Sequence, residues 1–263
     1  MRLRHRGRWA TAALGAGSVL AGCGSAASQS PAAATPARRL SGPVIVFAAA
    51  SLTEALADDK RQLVSANPGL LITYSFAGSQ QLVAQIQSGA PADVVATADQ
   101  ASMQTLVAGN LVETPRVFAR NLLEIAVAPG NPKGVKALSD LARSNLRVVL
   151  EDPSVPAGKY GRQALDKQGV HVSPVSLELD VKSELQKVES GEADAGIVYA
   201  TDVRSAGARA TGVAIPPGQN VVATYPVAVV KAAGNHPLAQ AFVDQLVSGT
   251  GQDALRARGF LAP

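Results

Sequence analysis

Strand-length apolar runs alternate with amphipathic stretches along this chain after its first forty residues, and this alternation constrains the fold more than any other feature. Parallel strands need long crossover connections, which helices usually supply. The alternation therefore predicts an α/β protein whose strands are mostly parallel and joined by right-handed crossovers. The runs predicted as strands are residues 44–49, 70–76, 94–96, 122–128, 146–150, 175–179, 197–199 and 227–230.

Four of the predicted strand-to-helix junctions carry residues typical of a helix start. These junctions lie at Ser51, at Ser79, near Ala157 and at Val181. The first turn of a helix leaves unpaired N–H groups and a partial positive charge. In open α/β sheets, ligands collect where the carboxyl ends of strands meet helix N-termini. Four such junctions could supply several donors to one anion, and Ser51 with Glu54 is also predicted to form a capping box.

The first forty residues have a different composition. Four arginines within residues 1–8 precede an apolar segment, which predicts a secretory signal over residues 1–22. The sequence Leu-Ala-Gly-Cys that ends at Cys23 resembles a bacterial lipobox, in which the cysteine thiol carries a diacylglyceryl group. Residues 23–40, rich in Ala, Ser and Pro, are predicted to be a flexible tether. We therefore expect an extracytoplasmic domain, anchored by lipid to the outer face of the cell membrane.

Charge and motifs argue against other classes of protein. Without the four arginines of the signal, 20 basic side chains face 20 acidic ones, so no basic surface for nucleic acid is indicated. The two histidines after the signal, His171 and His236, lie in no metal-binding motif. Neither Ser51 nor Ser79 lies in a G-x-S-x-G turn. The sequence therefore favours a binding protein, with an enzyme on the same fold as the alternative.

Five segments resemble one known family in its own order: VFAAASLTEAL, SFAGSQQLVAQIQSGAPADVVATAD, DPSVPAGKYGRQAL, DVKSELQKVESGEADAGIVY and YPVAVV. They are similar to the periplasmic molybdate-binding proteins of bacterial ABC transporters, and the resemblance covers residues 42–263. It implies a two-lobed type II periplasmic-binding-protein fold that closes on molybdate or tungstate. It also implies delivery to a membrane permease driven by an ATPase. A delivery protein needs only one copy, so we expect a monomer, and we expect no cofactor.

The resemblance also implies the ligand contacts. Carried over position by position, they fall on Ser51, Ser79, Ala157, Val181 and Tyr199, and the metal enters only as the centre of the molybdate oxyanion. Gly78 and Gln80 depart from the family, which often has serines there. The residues do not separate molybdate from tungstate, and a binding protein for sulfate or another oxyanion stays open as the alternative.

The two-lobed fold requires the chain to cross between lobes twice. We predict crossings near residues 121–123 and 223–225, so that lobe 1 holds residues 41–121 and 225–263 and lobe 2 holds residues 122–224. Ser51 and Ser79 then belong to lobe 1, and the other three predicted contacts belong to lobe 2, as closure about a hinge requires. The lysines beside the predicted backbone donors, Lys159 and Lys182, are predicted to be solvated.

Overall fold

A computed structural model describes residues 40–263, and this part of the chain forms nine strands and eight α-helices. The strands are β1 (Gly42–Ala49), β2 (Leu70–Ala77), β3 (Val94–Ala96), β4 (Arg116–Val127), β5 (Val148–Glu151), β6 (Ser176–Glu178), β7 (Ala195–Tyr199), β8 (Thr211–Ala214) and β9 (Val222–Val229). The helices are α1 (Thr53–Ala66), α2 (Ser79–Gln87), α3 (Gln100–Ala108), α4 (Pro156–Asp166), α5 (Val181–Glu189), α6 (Ala200–Ala206), α7 (His236–Ser248) and α8 (Thr250–Arg258).

The strands form one sheet in the order β2-β1-β3-β9-β4-β7-β5-β6, and β8 pairs with β4. β1 runs parallel to β2 and β3, and β5 runs parallel to β6 and β7. Every antiparallel pair involves β4 or β9. The predicted α/β class is confirmed, and all eight predicted strands are present.

Two long strands join the halves of the sheet. The first part of β4, Arg116 to Leu122, pairs with β9, and the second part, Leu123 to Val127, pairs with β7. The β2-β1-β3-β9 side forms one lobe and the β7-β5-β6 side the other, with β4 running through both. The lobe boundaries stated above, at residues 121/122 and 224/225, stay a prediction.

Helix α1 shows why the local sequence folds as it does. Its leucines at spacings of four and seven, Leu56 and Leu63, are 0% and 3% exposed, and Leu52 just before it is 0% exposed. This is the apolar stripe of an amphipathic helix. The stripe packs into a hydrophobic core that extends through both lobes and includes Phe118 and Ile125 of β4. The leucine spacing in the sequence therefore accounts for the buried face of α1.

The N-terminal predictions lie largely outside the described residues. The signal over residues 1–22 and the acylated Cys23 fall there, and so does the tether over residues 23–40 apart from Leu40. Within residues 40–263, no helix has the length and apolar character needed to cross a membrane.

Candidate functional site

A small cavity lies where the carboxyl ends of β1, β2, β5 and β7 meet the starts of α2, α4 and α5. Its volume of about 10 Å³ admits the centre of a single water-sized group. None of the described residues that line it is a lysine, arginine or histidine. All five of the predicted contact residues line it: Ser51, Ser79, Ala157, Val181 and Tyr199.

Ser79 is the first residue of α2 and is 1% exposed. Its hydroxyl oxygen accepts a hydrogen bond of 2.9 Å from the N–H of Ala98. Since a serine hydroxyl can accept and donate at once, this bond leaves the O–H proton free to donate into the cavity. The N–H of Ser79 also belongs to the first turn of α2, where no intrahelical acceptor exists.

Ser51 does not form the predicted capping box. It lies in a 3-10 turn, Ala50–Leu52, and its hydroxyl oxygen is 3.0 Å from the hydroxyl of Tyr225. The turn moves the start of α1 to Thr53, so Ser51 is not at the N-cap position. The prediction was wrong because the sequence gives no sign of this extra turn.

Tyr199 is the last residue of β7 and is 1% exposed. Its hydroxyl finds no hydrogen-bond partner among residues 40–263, although its ring meets that of Tyr225 at a centroid distance of 5.8 Å. Burial raises the pKa of Tyr199 well above its ordinary value, so the phenol keeps its proton. A buried phenol without a partner is costly unless a ligand accepts its hydrogen bond.

The start of α4 reveals a residue that the sequence analysis missed. Glu151, 2% exposed, ends β5 and accepts a 3.0 Å hydrogen bond from the N–H of Gly158. Burial raises the pKa of Glu151 well above its ordinary value, and the Gly158 N–H opposes this only in part. Pro156 lacks an N–H, so the first-turn donors of α4 are the N–H groups of Ala157 and Gly158. Both lie close enough to the Glu151 carboxylate to oppose the rise in its pKa, and Ala157 also lines the cavity. The signal for Glu151 in the sequence was its position directly after the apolar run of a predicted strand.

The start of α5 has one donor to offer. Asp180 is its N-cap, and the carboxylate accepts the N–H groups of Lys182 and Ser183 at 2.9 Å each. A second carboxylate oxygen accepts the Ser183 hydroxyl at 2.8 Å. The N–H of Val181 is left over, which makes it the first-turn donor available at the cavity.

The two lysines beside the backbone donors behave differently. Lys159 is exposed, as predicted. The prediction that Lys182 is solvated was wrong, because its ammonium lies 2.7 Å from Glu54 and 2.8 Å from Asp202. Asp202 is 0% exposed, and a buried carboxylate needs a counter-charge. The residue spacing along α5 gave no sign that acidic side chains of other helices would pair with Lys182.

Two lobes that meet at a cavity lined by hydroxyl groups and by N–H groups of helix starts have the arrangement of a solute-binding protein. The family model for bacterial extracellular solute-binding proteins matches residues 44–261. The chain belongs to this family.

Individual relatives agree with this placement. The molybdate-binding protein ModA of Mycobacterium tuberculosis is 42% identical over 254 residues, covering 96% of each chain. The protein of the same name from Escherichia coli is 34% identical over 231 residues, covering 83% of this chain and 89% of the relative. The solved periplasmic molybdate-binding protein of Azotobacter vinelandii is 21% identical, with a TM-score of 0.73 over 84% of this chain and 99% of that one. The predicted type II periplasmic-binding-protein fold is confirmed.

Proposed function

We propose that this chain captures molybdate, and tungstate with it, in the cavity between its lobes and delivers the oxyanion to the permease of an ATP-driven importer. The observation that carries the proposal is the convergence of Ser51, Ser79, Ala157, Val181 and Tyr199 on one cavity, with the hydroxyl of Tyr199 unpaired among residues 40–263. The names of the relatives support the choice of ligand.

The donor set suits a fully ionised oxyanion. A dianion that leaves water needs donors in place of its hydration shell, and hydroxyls with helix N-termini provide them without a formal charge. A protonated phosphate would also need an acceptor. The carboxylates of Asp180 and Glu151 line the cavity, but both already accept hydrogen bonds from the starts of α5 and α4. An unmet proton costs about 1–3 kcal/mol, so phosphate should bind about ten- to a hundredfold more weakly.

Calorimetric titration of the chain without residues 1–39 tests this function. We expect one molybdate per chain, similar binding of tungstate, phosphate binding weaker by about ten- to a hundredfold, and no tight binding of sulfate at neutral pH. Tight binding of sulfate instead would keep the fold and overturn the ligand. Hydrolysis of a phosphate or sulfate ester by the purified chain would revive the enzyme alternative.

We further propose that Cys23 carries the lipid anchor and that the chain acts as a monomer. The apolar residues before Cys23 and the lipobox-like sequence support the anchor. In cells that make the Cys23→Ser variant, the protein should lose labelling by radioactive palmitate. Undiminished labelling would place the lipid elsewhere.

A further inference from the structure

The ammonium of Lys182 lies between two carboxylates from different helices. Its Nζ is 2.7 Å from Oε2 of Glu54 on α1 and 2.8 Å from Oδ1 of Asp202 on α6. The side chain of Lys182 is 26% exposed, that of Glu54 33%, and that of Asp202 0%. Burial lowers the pKa of Lys182, but Asp202 and Glu54 outweigh it and raise the pKa above its ordinary value. Lys182 therefore stays charged.

These three residues are close in sequence to three of the proposed ligand contacts. Lys182 directly follows Val181, Glu54 comes three residues after Ser51, and Asp202 comes three residues after Tyr199. Helix α1 belongs to lobe 1, whereas α5 and α6 belong to lobe 2. The Lys182 ammonium therefore links segments of both lobes that carry proposed ligand contacts.

A second contact joins the lobes at the same edge of the cavity. The amide Nε2 of Gln80, in lobe 1, donates to the backbone oxygen of Leu179, in lobe 2, at 3.0 Å. A Cβ placed on Gly78 would lie 2.3 Å from that oxygen, which is too close for any side chain. Both departures from the family's serines, Gly78 and Gln80, therefore meet the opposite lobe.

The two ion pairs of Lys182 differ in their relation to closure. Asp202 and Lys182 lie in the same lobe, so their pair persists whether the lobes are together or apart. Glu54 lies in the other lobe and touches Lys182 only when the lobes meet. The Glu54 contact is therefore the part of this network that can respond to ligand.

We propose that the Glu54–Lys182 ion pair and the Gln80–Leu179 hydrogen bond form a latch that holds the lobes closed and sets the rate of ligand release. The proposal rests on the proposed function, because it requires the lobes to close on an oxyanion. Glu54 and Lys182 act as positioning residues in it, since neither lines the cavity.

The Glu54→Gln variant tests the latch, because it removes the opposite charge from the contact between lobes and leaves Lys182 paired with Asp202. We expect labelled molybdate, chased with unlabelled molybdate, to leave this variant about tenfold faster, with an association rate within about twofold of the unaltered chain. Release from the unaltered chain should accelerate as ionic strength rises, since salt screens a partly exposed ion pair. Release from Glu54→Gln should lack that acceleration.

A matched control removes the same charge elsewhere. Asp253→Asn breaks an ion pair with Arg256 on α8, where both side chains are well exposed, and should leave release unchanged. Lys182→Met combined with Glu54→Gln should release no faster than Lys182→Met alone, because the pair is already broken. Equal release rates and equal salt responses in Glu54→Gln and the unaltered chain would overturn the latch alone. Failure of the unaltered chain to bind molybdate would overturn the proposed function and the latch with it.

Discussion

Gly158→Ala should weaken molybdate binding by about a hundredfold or more and lower the free energy of unfolding by about 1–3 kcal/mol. A Cβ at residue 158 would lie 2.2 Å from the backbone oxygen of Asp152 and 2.6 Å from that of Glu151. Backbone atoms cannot rotate away as a side chain can, so the first turn of α4 must shift. That shift moves the Ala157 N–H away from the cavity and separates Gly158 from Glu151. Titration with molybdate and urea unfolding measure the two effects.

Gly161→Ala is the matched control on the same helix. A Cβ there would meet the side chain of Ile197 at 3.4 Å, which is ordinary contact. Alanine is favoured over glycine inside a helix by about 1 kcal/mol. Unchanged affinity with equal or higher stability is therefore expected for Gly161→Ala. If both glycine variants lost binding alike, the close approach at Gly158 would not be the cause.

Ser79→Ala should weaken molybdate binding by about ten- to a hundredfold. A hydrogen bond to a charged group contributes about 1.5–3 kcal/mol, and the variant loses the Ser79 hydroxyl as a donor. It also leaves the buried N–H of Ala98 without its acceptor, so the free energy of unfolding should fall by about 1–3 kcal/mol. Calorimetric titration gives the first effect and chemical unfolding the second.

Ser88→Ala serves as the control for Ser79→Ala. Ser88 follows the last turn of the same helix, is exposed, and does not line the cavity. Its replacement should change neither the affinity nor the stability by more than a few tenths of a kcal/mol, as is usual for surface positions. Affinity retained in Ser79→Ala would remove Ser79 from the proposed contact set.

Much of the fold could be predicted from the sequence, because apolar periodicity reports directly on burial. The strand runs and the leucine stripe of α1 are examples. The start of β4 could not be predicted in the same way. Its first residues include Arg116 and Arg120, which are exposed, and a strand that carries exposed charges on one face does not stand out as an apolar run. The short strand β8 was missed altogether.

The sequence predicted the candidate site in part as well. Helix-start residues mark their own junctions, so the sequence could bring Ser79, Ala157 and Val181 to one edge of the sheet. Partners from distant elements leave no local trace. The Ser51 contact with Tyr225 joins residues 174 positions apart, and Lys182 reaches Glu54 over 128 positions. Such contacts depend on tertiary geometry, which composition and spacing do not encode.

The pairing of β4 with strands of both lobes affects how the protein unfolds. It hydrogen-bonds to β9 along its first half and to β7 along its second, and its apolar side chains belong to a core that extends through both lobes. Unfolding of either lobe would remove hydrogen-bond partners from β4. It would also leave an unpaired strand edge in the lobe that stayed folded. Neither half can therefore lose its structure without penalising the other, which is the condition for all-or-none unfolding of a protein built as two lobes.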